Sequence, residues 1–226
     1  MMNRLIAAGA LVALSFSAAN AADIDDRTSR LDPPNYGNPT DVEEYKTPFI
    51  GFGIGLQGSI EHDTLQLNGK DGSFFRGLSS DGFNLGGEID YLNGYGNGRI
   101  GGYCNGGWSN VDTELDIVAI PGDLEVFRKE HQFGCGLKGG LVVTDSTFLY
   151  GKFGYEWQKW SAFNELGDAN AQAWVFGGGA ETLLRQDVSL DVGVDYLRLH
   201  DADDELGAVF EDSDSVRGVI TLRYRP

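Results

Sequence analysis

Residues 147–157 read TFLYGKFGYEW. From Leu149 every second residue is apolar or glycine (Leu149, Gly151, Phe153, Tyr155, Trp157), and Tyr150, Lys152, Gly154 and Glu156 fall between them. Side chains of a β-strand point to opposite faces in turn, so a period of two predicts a strand here. One face is greasy, and the other carries two opposite charges and a glycine. Which of the two meets water decides the fold.

The period recurs along the chain. Segments 49–60 (FIGFGIGLQGSI), 83–91 (FNLGGEIDY), 99–108 (RIGGYCNGGW), 131–141 (HQFGCGLKGGL), 173–184 (AWVFGGGAETLL), 188–199 (VSLDVGVDYLRL) and 216–224 (VRGVITLRY) repeat it. In 99–108 Tyr103 disputes the face that carries Ile100, Cys104 and Trp108. Long, acidic connections fall near 61–82, 109–130, 161–172 and 200–215, and short turns near 92–98, 142–147 and 185–187. Short turns on one edge and long loops on the other are the pattern of a membrane barrel. The fold expected for 48–226 is therefore all-β, an eight-stranded antiparallel up-and-down transmembrane β-barrel.

Glycine bears on which face is inside. It makes up 33 of 226 residues, twice the usual ~7%, and it sits within the strands rather than in a linker. A water-facing strand gains nothing from glycine and loses stability by it. The lumen of a narrow barrel, where side chains converge, needs small residues between large ones. The glycine-rich polar face is accordingly expected inside, with the greasy face on lipid. Lys or Arg on that outer face would cost about 2–4 kcal/mol at the bilayer midplane. Apart from 99–108 and the rims (His131, Lys159, Arg198), no ionisable group falls there. Trp108, Trp157, Trp174, Tyr91, Tyr196 and Tyr224 lie towards strand ends, where interfacial aromatic girdles belong.

The N-terminus sets the compartment. Residues 1–21 have one charge (Arg4), an apolar run from Leu5 to Phe16 and an Ala-Asn-Ala ending at Ala21, which reads as a secretory signal peptide. The next stretch, 22–47, is polar and contains proline without periodicity, the composition of a flexible periplasmic arm. The chain carries 17 Lys+Arg against 34 Asp+Glu, net −17. Such acidity argues against nucleic-acid binding, which needs basic groups to neutralise phosphates.

The stretches LYGKFGYEW (149–157), FGGGAETLL (176–184) and SLDVGVDYLRL (189–199), with the order of leader, eight strands and terminal aromatic strand, carry a resemblance. The chain resembles the small outer-membrane β-barrels of Gram-negative bacteria, the opacity-protein and outer-membrane-protein-A-like barrels often grouped as a porin family. The resemblance implies an outer-membrane location and assembly by the barrel-assembly machinery, which reads a terminal aromatic signal. Tyr224 fits one aromatic slot of that signal, whereas Pro226 stands where the last aromatic would be.

The polar face supplies the candidate site. Glu88, Asp90, Arg99, Lys138, Lys152, Glu181, Asp191 and Arg223 are expected in the periplasmic half of the lumen, with Glu156, Asp195 and Arg217 higher. Charges in a narrow lumen must be paired or hydrated. Either they form an internal salt-bridge network that fills the barrel, or they make a constriction that selects ions. Eight strands leave an interior just wide enough for side chains, which favours the first. Cys104 and Cys135 flank the second long loop. They read either as a disulfide in an oxidising compartment or as free lipid-facing thiols.

His62, His131 and His200 fall at external strand ends without the spacing of a metal site. The acidic run 200–214 lacks the spacing of a calcium loop. Ser59 with His62 is the nearest approach to a hydrolytic pair, and neither catalysis nor a cofactor is expected. The expected role is structural and interfacial: envelope integrity, with acidic loops open to lipopolysaccharide, host or phage ligands. A small low-conductance pore and a soluble periplasmic ligand-binding barrel are the alternatives.

Overall fold

The computed structural model describes residues 48–69, 74–115, 124–162, 168–204, 208–210 and 213–226. The strands are β1 (Gly51–Gly69), β2 (Phe74–Tyr95), β3 (Gly98–Leu115), β4 (Leu124–Thr144), β5 (Thr147–Ala162), β6 (Asp168–Arg185), β7 (Val188–Asp204), β8 (Ala208–Phe210) and β9 (Asp214–Tyr224). Each long strand pairs antiparallel with the next. β1 then pairs with both β2 and β9, Ile54 lying opposite Ile89 on one side and Tyr224 on the other. That double pairing closes an eight-stranded barrel, so among the described residues the long strands have no free edge of the kind an open sheet leaves. The three-residue β8 adds a rung to the loop end of β1. Register shifts fall near the two rims, as at Lys129/His131 and Val142/Thr144, the places where bulges re-aim or end a strand.

The strands outrun their apolar patterns. β1 has 19 residues and β2 has 22, whereas a strand needs about 9–11 residues to cross a bilayer. On β1 the outward residues from Phe52 to Ile60 are apolar or glycine, and the next two, His62 and Thr64, are polar. The connections expected at 61–82, 109–130, 161–172 and 200–215 are thus largely strand, continuing past the apolar band. The expected short turns shrink to two residues each: Gly96–Asn97, Asp145–Ser146 and Gln186–Asp187.

The wall sorts its side chains as the alternation predicts. Phe52, Ile54, Leu56, Leu137, Phe153, Trp157, Phe176, Ile220 and Leu222 are all exposed on the outside, and Glu88, Lys138, Glu156, Glu181, Asp191, Arg217 and Arg223 are buried within. Tyr103 turns inward and is buried, so Ile100, Cys104 and Trp108 share the outer face.

Glycines occupy both faces of the wall, not the inner one alone as expected. Gly139, Gly151 and Gly178 lie side by side on the outer wall. The inward glycines are the ones that tight space demands. A Cβ at Gly177 would meet the Lys152 chain at 2.8 Å, and one at Gly179 would meet the Tyr150 hydroxyl at 2.7 Å. These positions are seats for large lumen side chains.

Cys104 stands opposite Cys135 on the outer face, and the two form a disulfide between β3 and β4 with Cα atoms 4.1 Å apart. It closes a loop of 31 residues, worth about 3–4 kcal/mol in the chain-entropy account. The C104S/C135S double variant is expected to unfold at lower urea than the oxidised protein, and wild type under reductant should match it. Equal midpoints in all three samples would remove the bond from the account of stability.

Candidate functional site

The lumen holds its charges in two layers. In the layer nearer the short turns, Arg223 of β9 reaches every carboxylate around it. Its guanidinium contacts Glu88 and Glu181 and lies 3.3 Å from Asp90 and 3.1 Å from Asp191. Lys138 of β4 enters from the opposite wall, 2.9 Å from Asp191 and 3.3 Å from Glu181. Its ammonium sits 4.0 Å from the Tyr150 ring centre, a cation–π contact. The Tyr150 hydroxyl donates to Asp191 at 2.6 Å, and Ser189 donates to Glu181 at 2.8 Å. Arg225 completes this layer, 3.0 Å from Asp90.

The layer nearer the loops centres on Arg217, also on β9. Its two terminal nitrogens grip both oxygens of Glu156 at 2.8 and 3.2 Å, and it reaches Gln132 at 3.0 Å and Asp195 at 3.3 Å. Such a two-pronged pair fixes orientation as well as charge. Lys152 binds Asp195 at 2.9 Å with the Tyr103 ring below it. Sequence alone put Lys152 in the lower half; the structure joins it to the upper layer. Lys129 binds Glu61 at 2.8 Å, and Asn84 and Ser215 donate to the same carboxylate at 2.8 and 3.0 Å.

Apolar side chains bound the layers at each end. At the short-turn mouth the entering chain places Phe49, in the left-handed backbone region (φ 64°), against Leu92 and Phe148, all buried. Arg99 stands here and meets no carboxylate among the described residues. It donates to the backbone carbonyls of Pro48 (3.0 Å), Gly96 and Gly98 (both 2.8 Å), so it pins this plug to the turn. That corrects its expected place in the ionic network. Towards the loops, Val111, Trp160, Leu197 and Leu199 are buried along the inner wall.

The lumen also holds Glu61, Asp63, Lys129, Arg225, Tyr103 and Tyr150, which are not among the expected lumen residues. The remaining candidates lie elsewhere. Ser59 is buried in the lumen, where Asn84 donates to its hydroxyl, whereas His62 contacts Asp81 on the outside. The wall therefore separates the two members of the hydrolytic pair. His131 lies 3.7 Å from Glu130, and His200 accepts or donates at 3.2 Å to Tyr155 while stacking on Trp174. Tyr224 is the last residue of β9 and faces outward between Ile54 and Val188. The side chains of the acidic run 201–212 lie outside the described residues.

Closed topology, an apolar outer band and a filled polar lumen define the class: the fold is that of a small outer-membrane β-barrel. Among solved structures, the chain is similar to the outer membrane protein OprG from Pseudomonas aeruginosa, at 13% identity and TM-score 0.50, covering 78% of this chain and 97% of that one. It also matches Neisserial surface protein A (13% identity, TM-score 0.44, 76% and 97% covered). A third match is the outer membrane protease OmpT from Escherichia coli (11% identity, TM-score 0.36, 79% and 99% covered). At these identities the likeness shows the fold alone. No protein-family model matches the chain, and no curated protein matches it.

Proposed function

We infer that the protein is an occluded outer-membrane barrel: a wall element of the envelope that displays its loop end outside, rather than a conductor or an enzyme. The observation that carries this reading is the lumen itself. Two layers of interlocked ions lie across the lumen, bounded by Phe49, Leu92 and Phe148 at one mouth. An eight-stranded wall encloses just the width that side chains occupy. The apolar outer band supports a bilayer location, and the signal peptide expected at 1–21 supports the outer membrane. Lipid and lipopolysaccharide are then the surroundings, the assembly machinery engages the Tyr224 strand, and host or phage ligands meet the loop end. Separation of Ser59 from His62 by the wall supports a role without catalysis.

Single-channel recording on the purified protein in planar bilayers is the test. The expected record shows no sustained conductance steps. A steady ohmic step that scales with salt would overturn the occluded reading in favour of a small pore.

A further inference from the structure

The layer nearer the loops is not balanced. Lys129, Lys152 and Arg217 face four buried carboxyls: Glu61, Asp63, Glu156 and Asp195. Lys129 holds Glu61, Arg217 holds Glu156, and Lys152 holds Asp195. Asp63 is left over, with no ion pair to it among the described residues. It is 1% exposed, and its Oδ2 meets no hydrogen-bond partner. The groups around it come from several strands. Glu61 shares its own strand and face, Ser80 of β2 and Ser215 of β9 stand opposite it, Ser215 within hydrogen-bonding reach, and Lys129 acts on it from β4. Asn84 of β2, Glu156 of β5 and Arg217 of β9 surround Glu61 beside it.

Two carboxyls that share one buried site push the pKa of one of them up, because the second negative charge is disfavoured there. The cations near the pair, Lys129 and Arg217, act on Glu61. Lys129 lies on Glu61, together with the donors Asn84 and Ser215. That leaves Asp63 as the group to take up a proton. We propose that Glu61 and Asp63 form a proton-binding carboxyl pair at the loop-end mouth, with Glu61 the carboxylate and Asp63 the acid. The bound species is a proton from solvent, and its uptake brings the layer to three cations and three anions.

Asp63 stands above Ile60, the last apolar outward residue of its strand, clear of the apolar band. Burial first, then the neighbouring Glu61, raise its pKa to about 8. A carboxyl with a raised folded-state pKa contributes stability that is complete below the ordinary aspartate value, about 4. That stability is lost as pH rises through about 8.

The test uses the full-length protein in detergent micelles, titrated from about pH 6 to about pH 9 and followed by infrared absorption of the protonated carboxyl and by the heating midpoint of the gel-mobility shift. Wild type should show the carboxyl band at the acid end, fading with a midpoint near 8, and its heating midpoint should fall over the same range. In D63N the band should be absent and the heating midpoint should stay level; D63S is the second variant where D63N does not fold. Wild type without the band at the acid end overturns the proposal. So does a band that survives unchanged in either variant.

Discussion

Replacing Arg223 by methionine is expected to cost roughly 3–5 kcal/mol of barrel stability, the penalty for removing one partner from a buried ion cluster. Methionine keeps much of the side-chain length, so the loss isolates charge rather than volume. Arg223 touches Glu88, Asp90, Glu181 and Asp191. Without it these four share Lys138 and Arg225. Urea unfolding in detergent micelles, read by tryptophan fluorescence, measures the loss. Combining the change with E181Q removes one uncompensated carboxylate and should recover part of it. If R223M unfolds at the wild-type midpoint, the layer is not dry and water rather than Arg223 carries the charge.

The second large effect concerns the other side of the same wall. Phe153 sits midway along the apolar outward run of β5, flanked by Leu137 and Phe176. Introducing Arg there should cost about 2–4 kcal/mol, because its charge meets hydrocarbon at the bilayer midplane. Tyr95, at the short-turn rim and 95% exposed, is the control, where Arg should cost about 0–1 kcal/mol. The adjacent Lys152 is tolerated only because alternation turns it inward onto Asp195. Unfolding in lipid vesicles compares the two variants. Equal cost at both positions would mean that Phe153 does not lie in hydrocarbon.

Much of this architecture was legible in the alternation. Apolar residues at every second position located the strand cores and the outward face, since hydropathy contrast is strongest where one side meets lipid. Legibility ended where that contrast ends. Beyond Ile60 the outer face of β1 turns polar, so the strand runs on unseen and Glu61 and Asp63 read as loop. Lys129 falls in the expected loop 109–130 as well, and the register shift between Lys129 and His131 breaks the strand's parity besides. A residue that counting would turn outward is thereby brought into the lumen. Arg225 follows the terminal aromatic but keeps the inward parity of Arg217 and Arg223. Arg99 faces inward as one face of its strand allowed, yet its partners are the carbonyls of a plug that no periodicity announces. The disulfide needed the register of β3 against β4, which spacing alone leaves open.

The greasy face of this wall points outward, to lipid in a membrane barrel, and the charged face points into the lumen. Trp157 and Trp160 test this orientation most directly, because they are close neighbours on β5 with opposite exposure: Trp157 is 47% exposed on the outside and Trp160 is fully buried within. Two single-tryptophan variants, each retaining one of them with phenylalanine at the other tryptophan positions, would be reconstituted in vesicles carrying brominated acyl chains. Strong quenching of Trp157 with Trp160 spared is the predicted result. Quenching of Trp160, or Trp157 fluorescence unaffected by the brominated lipid, would contradict the account and turn the barrel inside out.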